Sequence, residues 1–454
     1  MVNVLLINSP NRTSEPPRHY PYGLAILTSI LENEGYDVDT FDGNFQSDED
    51  LIGALKKKNY DFVGISGIIT TYLHQKRYAQ IIREKSPDSV ITSGGGLASA
   101  VDAELLKLIP ELDIVFIGES EQTLPAFLRV IGGPYDGVAG IAYKDAGGTV
   151  INENAPTIQD LDSIPLPNLD AWFIQRYFEN KSFPLSSTSS SAQRRGNVLT
   201  SRGCPYFCDF CFNSLGRRRV RYRSPDNVLA EIDFLVNQYG VDFISFMDES
   251  FLFNRKHVFA IIEGIRKKGL AFNWGVAARS TSVDEVLLSE IADAGCDFIY
   301  YGFDSGSPAT LERMNKQMTV DDNFEAFRMT VEVGIVPVPN IIIGYDNETL
   351  DNIREDYEFL ERLIEYGKTL VSQKDKFTFQ RGFNNFGAIY FATPYPGSAL
   401  YKRNINNLPS LEHILSAISG KDAYEITVNV SQIPDEVLVR EQKKMESFVR
   451  NFTL

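Results

Sequence analysis

Residues 200–211 read Thr200-Ser201-Arg202-Gly203-Cys204-Pro205-Tyr206-Phe207-Cys208-Asp209-Phe210-Cys211. Three of the chain's four cysteines fall here, spaced Cys-x3-Cys-x2-Cys, and the fourth, Cys296, is far off in sequence. Three thiolates this close can hold three irons of a cubic [4Fe–4S] cluster, because thiolate is the usual ligand of such clusters. The fourth iron is then open to a substrate or cofactor. A closed zinc site is the rival reading, but it needs four protein ligands, and the nearest histidine is His257. A long chain with so few cysteines is not a disulfide-stapled domain.

Around this loop, short apolar runs alternate with helical patterns over residues 196–400. Asn197–Thr200 leads into the cysteines and is followed by an amphipathic helix, Pro225–Gln238. Strands are predicted at Phe243–Met247, Phe272–Ala277, Phe298–Tyr301, Val338–Ile343 and Gly387–Phe391, with helices between them. Six such βα units predict an open, partial barrel, whose chemistry lies at the C-terminal ends of the strands. The cysteine loop stands at that end of the first strand. Polar residues end the later strands too: Asp248-Glu249-Ser250, Arg279, Asp304-Ser305-Gly306, and Gly344 to Thr349.

Residues 1–150 carry their own alternation. Strands are expected at Val4–Ile7, Asp37–Phe41, Phe62–Ile65, Val90–Thr92 and Ile114–Ile117, separated by helices at Tyr22–Glu34, Asp48–Lys58 and Gln75–Lys85. This pattern predicts a doubly wound parallel sheet, which binds ligands beyond the carboxyl ends of its strands. Ser66-Gly67, Gly94-Gly95-Gly96 and Gly118-Glu119 fall at those ends. Three glycines in a row let backbone pass close to a bound group, or simply make a tight turn. No G-x-G-x-x-G dinucleotide fingerprint opens a helix here. Residues 151–195 read as a linker, with a polar, low-complexity run at Ser186–Ser191. Residues 401–454 read as a short, mostly helical C-terminal portion, and residues 370–386 follow no pattern. Both are expected to cover the barrel mouth and select the substrate.

At 454 residues the chain is long enough for two or three domains. Its 43% hydrophobic and 23% charged content is that of a soluble globular protein. A net charge of −16 argues against nonspecific binding to a nucleic-acid backbone. Arg217, Arg218, Arg219, Arg221 and Arg223 are a local exception, able to face anionic groups or to form a solvated face. No apolar stretch is long enough for a membrane helix. Met1–Asn8 reads as a strand and not a signal peptide, and free thiols suited to a cluster point to the cytoplasm.

The cysteine run and its setting resemble the radical S-adenosylmethionine superfamily. The resemblance implies that the open iron binds the amino and carboxylate groups of S-adenosylmethionine, and that the sulfonium is cleaved to a 5′-deoxyadenosyl radical. It implies an aromatic near the adenine, here Phe210. Asp248 or Glu249 would accept a hydrogen bond from the methionine amino group, and Arg279 would pair with the methionine carboxylate. Asp304 or Ser305 would make a ribose or carboxylate contact. Asp304 is one carbon shorter than the family's usual glutamate, and Gly344-Tyr345-Asp346-Asn347-Glu348-Thr349 lacks the usual Pro-Gly. Glu348 and Thr349 are read as starting the next helix.

The N-terminal domain resembles the cobalamin-binding domain that precedes many of these enzymes, through Pro21-Tyr22-Gly23-Leu24-Ala25, Gly94-Gly95 and Gly118-Glu119-Ser120-Glu121. The Asp-x-His-x-x-Gly motif that supplies a cobalt ligand elsewhere is absent, and neither His19 nor His74 sits in one. Two functions follow as expectations. One is cobalamin-dependent methylation of an unactivated carbon of a small-molecule substrate. The other is radical dehydration, epimerisation or cyclisation, with the first domain as scaffold. Either implies a reducing donor such as flavodoxin or ferredoxin.

Overall fold

The computed structural model describes residues 2–11, 17, 19–179, 194–212, 219–384 and 389–452. Two compact units emerge: Met1–Asn180 with Pro409–Asp422, and Lys181–Leu408 with Ala423–Leu454. The stretch after residue 400 is therefore divided between them, and residues up to Asn180 pack with the first.

The first unit is built on a sheet in the order β2-β1-β3-β4-β5-β6-β7. Its strands are β1 (Asn3–Asn8), β2 (Asp37–Asp42), β3 (Phe62–Ser66), β4 (Val90–Gly94), β5 (Ile114–Phe116), β6 (Ile141–Asp145) and β7 (Gly148–Ile151). The first five run parallel, and Val4–Ile7 are buried, as strands covered on both faces should be. The helix Asp48–Lys57 begins where it does because Ser47 and Asp50 form a capping box. The strand order reverses between β1 and β3, the switch point at which such sheets open a crevice. β6 and β7 form an antiparallel hairpin that the sequence reading lacks. Its signal was the turn Asp145-Ala146-Gly147-Gly148 between two β-rich runs. Part of the expected linker is pinned to this unit. Trp172 is fully buried and donates from Nε1 to Thr28 Oγ1 at 3.0 Å, and Tyr177 OH donates to Asp42 Oδ2 at 2.6 Å. Ser186–Ser191 lie outside the described residues.

The second unit holds six parallel strands in the order β15-β14-β13-β12-β11-β8, beside a two-stranded ribbon of β9 and β10. They are β8 (Arg195–Val198), β9 (Ser201–Arg202), β10 (Arg221–Tyr222), β11 (Phe243–Phe246), β12 (Asn273–Ala278), β13 (Cys296–Asp304), β14 (Val336–Ile343) and β15 (Ile389–Phe391). The parallel strands curve as an open barrel with an identifiable inner face. Phe243 and Phe298 stack at 5.5 Å across β12, which they can do because Gly275 lies between them. A Cβ on Gly275 would sit 2.4 Å from the Phe298 ring. Val336 and Val338 complete this packed floor. By the two-residue period of strands, Tyr300, Gly302, Asn340 and Ile342 continue the same face towards the mouth.

The helix Gln373–Asn384 does not cover that mouth, which corrects the expectation for residues 370–386. Phe379 and Phe383 pack on Phe327. A Cβ on Gly382 would lie 2.4 Å from the carbonyl of Pro337, at the start of β14. The helix thus closes the opposite, N-terminal end of the barrel, where aromatic burial holds it.

Candidate functional site

The cysteine loop is held from four directions. Asp248, at the end of β11, accepts from Thr200 N at 3.0 Å, Thr200 Oγ1 at 2.7 Å and Ser201 Oγ at 2.5 Å. Glu249 Oε2 accepts from Gly203 N at 2.9 Å. Asn315 Nδ2 donates to Phe207 O at 3.0 Å, and Asp209 N donates to Met314 O at 3.0 Å. Arg403 joins Asp209 Oδ2 at 2.7 Å to Asp346 Oδ2 at 2.6 Å. None of the three is in a disulfide; Cys204 and Cys208 are half-buried and Cys211 is exposed. Burial, then the nearby Glu249 and Cys208 charges, pushes the Cys204 thiol up. Among the described residues no set of three His, Cys, Asp or Glu converges to hold a single ion. Three soft donors on one anchored loop, each offered separately, suit a cluster in which each meets its own iron. Cys296 is apart from them: it opens β13 at the barrel floor, its Sγ lies 3.7 Å from Phe298 O, and burial pushes its thiol far up.

The strand-end residues divide into those committed to the fold and those with capacity left. Asp248 is committed. It is fully buried, burial raises its carboxyl, and its hydrogen bonds to Ser201 and Thr200 only partly offset that. It anchors the cysteine loop, while Glu249 is the exposed member of the pair expected to meet an amino group. Ser305 is committed too. Its Oγ donates to Asp356 Oδ1 at 2.7 Å and accepts from Ser307 N at 2.9 Å, so its only proton is spent inside the fold. Thr349 caps the helix Leu350–Thr369 with Asn352, and Glu348 Oε2 accepts from Gly344 N at 2.6 Å. Asn347 takes φ 58°, supplying the left-handed turn that the missing Pro-Gly would have made.

Arg279 has capacity left. Its guanidinium stacks 3.9 Å above the Tyr206 ring, and Nη1 donates to Cys208 Sγ at 3.3 Å. Nε and Nη2 are buried without a partner. Two adjacent N–H donors held in a fixed plane match a carboxylate. Asp304 lies at a break in the β13–β14 register, with φ 63°, and forms a buried ion pair with Lys316. Lys316 sits on the inner face, 3.5 Å from where a Cβ on Gly302 would be, and 5.7 Å from the centre of the Phe210 ring. Phe210 also packs on Met314, Tyr345, Ala392 and Leu400. Lys316, Tyr206 and Arg403 escape sequence reading because nothing in the spacing marks a lysine after a helix or an arginine beyond the last strand. Arg223, in the arginine run, is spent on Glu231 and Asn227; Arg217 and Arg218 lie outside the described residues.

In the first unit a cavity of about 40 Å³ opens at the strand switch. Leu6, Phe62, Gly64, Ser66, Gly94, Gly95 and Ser120 are among its walls. Gly95 takes φ 83°, and a Cβ there would lie 2.8 Å from Ser66 Oγ and 2.9 Å from Gly67 O. The apolar walls and bare backbone rim let a bound group lie close against the ends of the strands. Gly118 takes φ 85° with open space around it and donates from its N–H to Ser99 Oγ at 3.0 Å. Glu119 Oε2 accepts from Ile158 N at 2.9 Å, tying down the following connector.

Comparison with known proteins matches residues 198–360 to the radical SAM superfamily and residues 11–128 to the B12 binding domain. The chain is 28% identical over 393 residues to an uncharacterized methyltransferase of Pyrococcus horikoshii, covering 85% of this chain and 79% of that one. It is 30% identical over 352 residues to the anaerobic magnesium-protoporphyrin IX monomethyl ester cyclase of Rubrivivax gelatinosus, covering 74% of this chain and 61% of that one. The structure of the cobalamin-dependent S-adenosylmethionine radical enzyme OxsB, with aqua-cobalamin and S-adenosylmethionine bound, superposes with a TM-score of 0.75 at 20% identity. That match spans 99% of this chain and 66% of that one, so the two share a fold. Thiolate loop, carboxylate-matched arginine and glycine-rimmed cavity thus lie within the matched domains: the chain carries a radical SAM domain with a B12 binding domain ahead of it, and its cofactors are a [4Fe–4S] cluster, S-adenosylmethionine and cobalamin.

Proposed function

We propose that this protein methylates a carbon of a small organic substrate by radical chemistry. When bound, the cluster with S-adenosylmethionine supplies a 5′-deoxyadenosyl radical, and cobalamin supplies a methyl group. Cys204, Cys208 and Cys211 would hold three irons. Arg279 would take the methionine carboxylate on Nε and Nη2, and Glu249 the amino group. Asp248 would keep the loop in place, and Phe210 with the Lys316–Asp304 pair would border the nucleoside. Phe243, Phe298, Val336 and Val338 would keep water from the barrel floor. Gly94 and Gly95 would let cobalamin approach the first unit's backbone.

The observation that carries this reading is the buried, unpartnered face of Arg279 beside Cys208, in a chain that also holds the B12 binding domain. The methyltransferase relative supports methyl transfer. The cyclase relative favours one other reading, ring formation or related radical chemistry without methyl transfer. Anaerobic turnover with reductant and candidate substrates separates the two. Methyl transfer yields 5′-deoxyadenosine, S-adenosylhomocysteine and a product heavier by one methyl group. Substrate-dependent 5′-deoxyadenosine alone, in cobalamin-replete protein, would sink it. A small reducing protein such as flavodoxin or ferredoxin would deliver the electron, in the cytoplasm. Among the described residues no helix is long and apolar enough to cross a membrane.

A further inference from the structure

The segment Pro409–Asp422 comes from late in the chain yet belongs to the first unit. Its helix Leu411–Ile418 buries Ile414, Leu415 and Ile418 and lies against the helix Tyr72–Lys85 and the turn Ile69–Thr71 that precedes it. That longer helix has no side-chain cap from its own N-cap residue, so its first N–H groups need outside acceptors. Ser419 provides one: its Oγ accepts from Leu73 N at 3.0 Å and donates to Thr70 O at 3.2 Å. Gly420 N also donates to Thr70 O, at 2.8 Å. Lys76 and Glu412 close the far side with an ion pair at 2.8 Å.

The turn held this way directly follows the cavity rim. Gly67 O accepts from Leu97 N at 3.2 Å, and Ser66 and Gly67 are the groups that leave no room for a Cβ on Gly95. A shift of Ile69–Thr71 therefore passes straight to the rim. We infer that Pro409–Asp422 is a strap that positions the loop after β3 in the form that retains cobalamin; this rests on the B12 binding reading of the unit. A site whose competent form is only partly populated loses affinity by that fraction, and the strap keeps that form populated.

The test uses the full chain reconstituted with iron, sulfide and hydroxocobalamin, as wild type, Ser419→Ala and Gly420→Pro. Gly420 takes φ 71°, which proline cannot adopt, and proline also removes the N–H. Three quantities are read: amide exchange at Leu73, the rate of cobalamin release by visible absorbance, and iron content. Leu73 should exchange faster in both variants. Cobalamin should leave about tenfold faster from Gly420→Pro and about threefold faster from Ser419→Ala, with iron unchanged. If proline also lowers iron, Ser419→Ala decides, since it removes one hydroxyl only. Release at the wild-type rate with faster Leu73 exchange would overturn the strap. So would unchanged exchange at Leu73, because the loop would then not depend on it. Wild type that retains no cobalamin would instead remove the reading of the unit.

Discussion

The two units offer cofactors different kinds of surface. At the barrel mouth the site is made of side chains: three thiols, a stacked arginine with two unpartnered donors, and a buried ion pair. At the sheet of the first unit it is made mainly of backbone and of missing side chains, with Gly94 and Gly95 at the rim and apolar walls below. A side-chain site fails when one functional group is removed, and a backbone site fails when an atom is added. Substitutions of opposite sense therefore probe the two.

The largest effect is expected at the thiolates. Cys204→Ala, Cys208→Ala and Cys211→Ala should each lose the cluster, read as iron content and the visible charge-transfer bands, while Cys296→Ala keeps both. Loss of iron in Cys296→Ala alone would break the assignment. Next comes Arg279→Ala, which should weaken S-adenosylmethionine binding by roughly ten- to 150-fold, from about 1.5–3 kcal/mol for a charge-assisted contact. Glu249→Ala should weaken it less and retain iron. Asp248→Ala should lower iron itself, because it frees the loop's Thr200 and Ser201. Calorimetric titration with iron assayed in parallel separates the three; equal S-adenosylmethionine affinity in all would remove this map of the site.

The same contrast explains how much was legible in the sequence. Both parallel sheets were, because buried parallel strands leave continuous apolar runs and their helices leave amphipathic ones. The cysteine site was, because chemistry there needs particular side chains at particular spacing. The hairpin β6–β7 was missed because its strands are largely exposed and carry no continuous apolar run, and the strap was missed because a contact between Ser419 and Leu73 leaves no trace in local pattern. Asp248 and Ser305 show a related limit of the sequence. A polar residue at a strand end looks the same whether its hydrogen bonds go to a ligand or to a neighbouring loop, and only geometry counts them.

For the backbone site the informative change is addition. Gly95→Ala and Gly118→Ala both force alanine into a left-handed backbone, at φ 83° and φ 85°, each costing on the order of 1 kcal/mol. Only the first also drives a methyl to within 2.8 Å of Ser66 Oγ. Both variants should melt a few degrees lower, and only Gly95→Ala should lose cobalamin on gel filtration, read as cobalt per chain. Equal cobalt in the two would mean that the glycine rim is a turn and nothing more.

The change expected to touch cofactor binding least is in stability against pH, and it compares two buried carboxylates. Burial raises both Asp42 in the first unit and Asp356 in the second. Asp42 has partners on both oxygens, from Asn8 and Asn44 on one and Tyr177 on the other. Asp356 accepts from Ser305 and Gly306 on Oδ1 only; its Oδ2 is buried without a partner. Its carboxyl is pushed up to about 7 from the ordinary 3.8. Nearby Glu348 is raised as well, by burial and by the charge of Asp356. A carboxyl with a raised folded-state pKa binds its proton more tightly folded than unfolded. The stability it contributes is thus complete below about pH 4 and is lost as pH rises towards 7. Asn in place of Asp keeps the Oδ1 acceptor for Ser305 and Gly306 and never ionises. Asp356→Asn should therefore flatten that fall, gaining on the order of 2 kcal/mol over the native chain at pH 8, while Asp42→Asn should lose stability by stripping an acceptor from Tyr177. Melting temperatures of both variants between pH 4 and 8 check this. A native-like slope in Asp356→Asn would place the unsatisfied charge elsewhere.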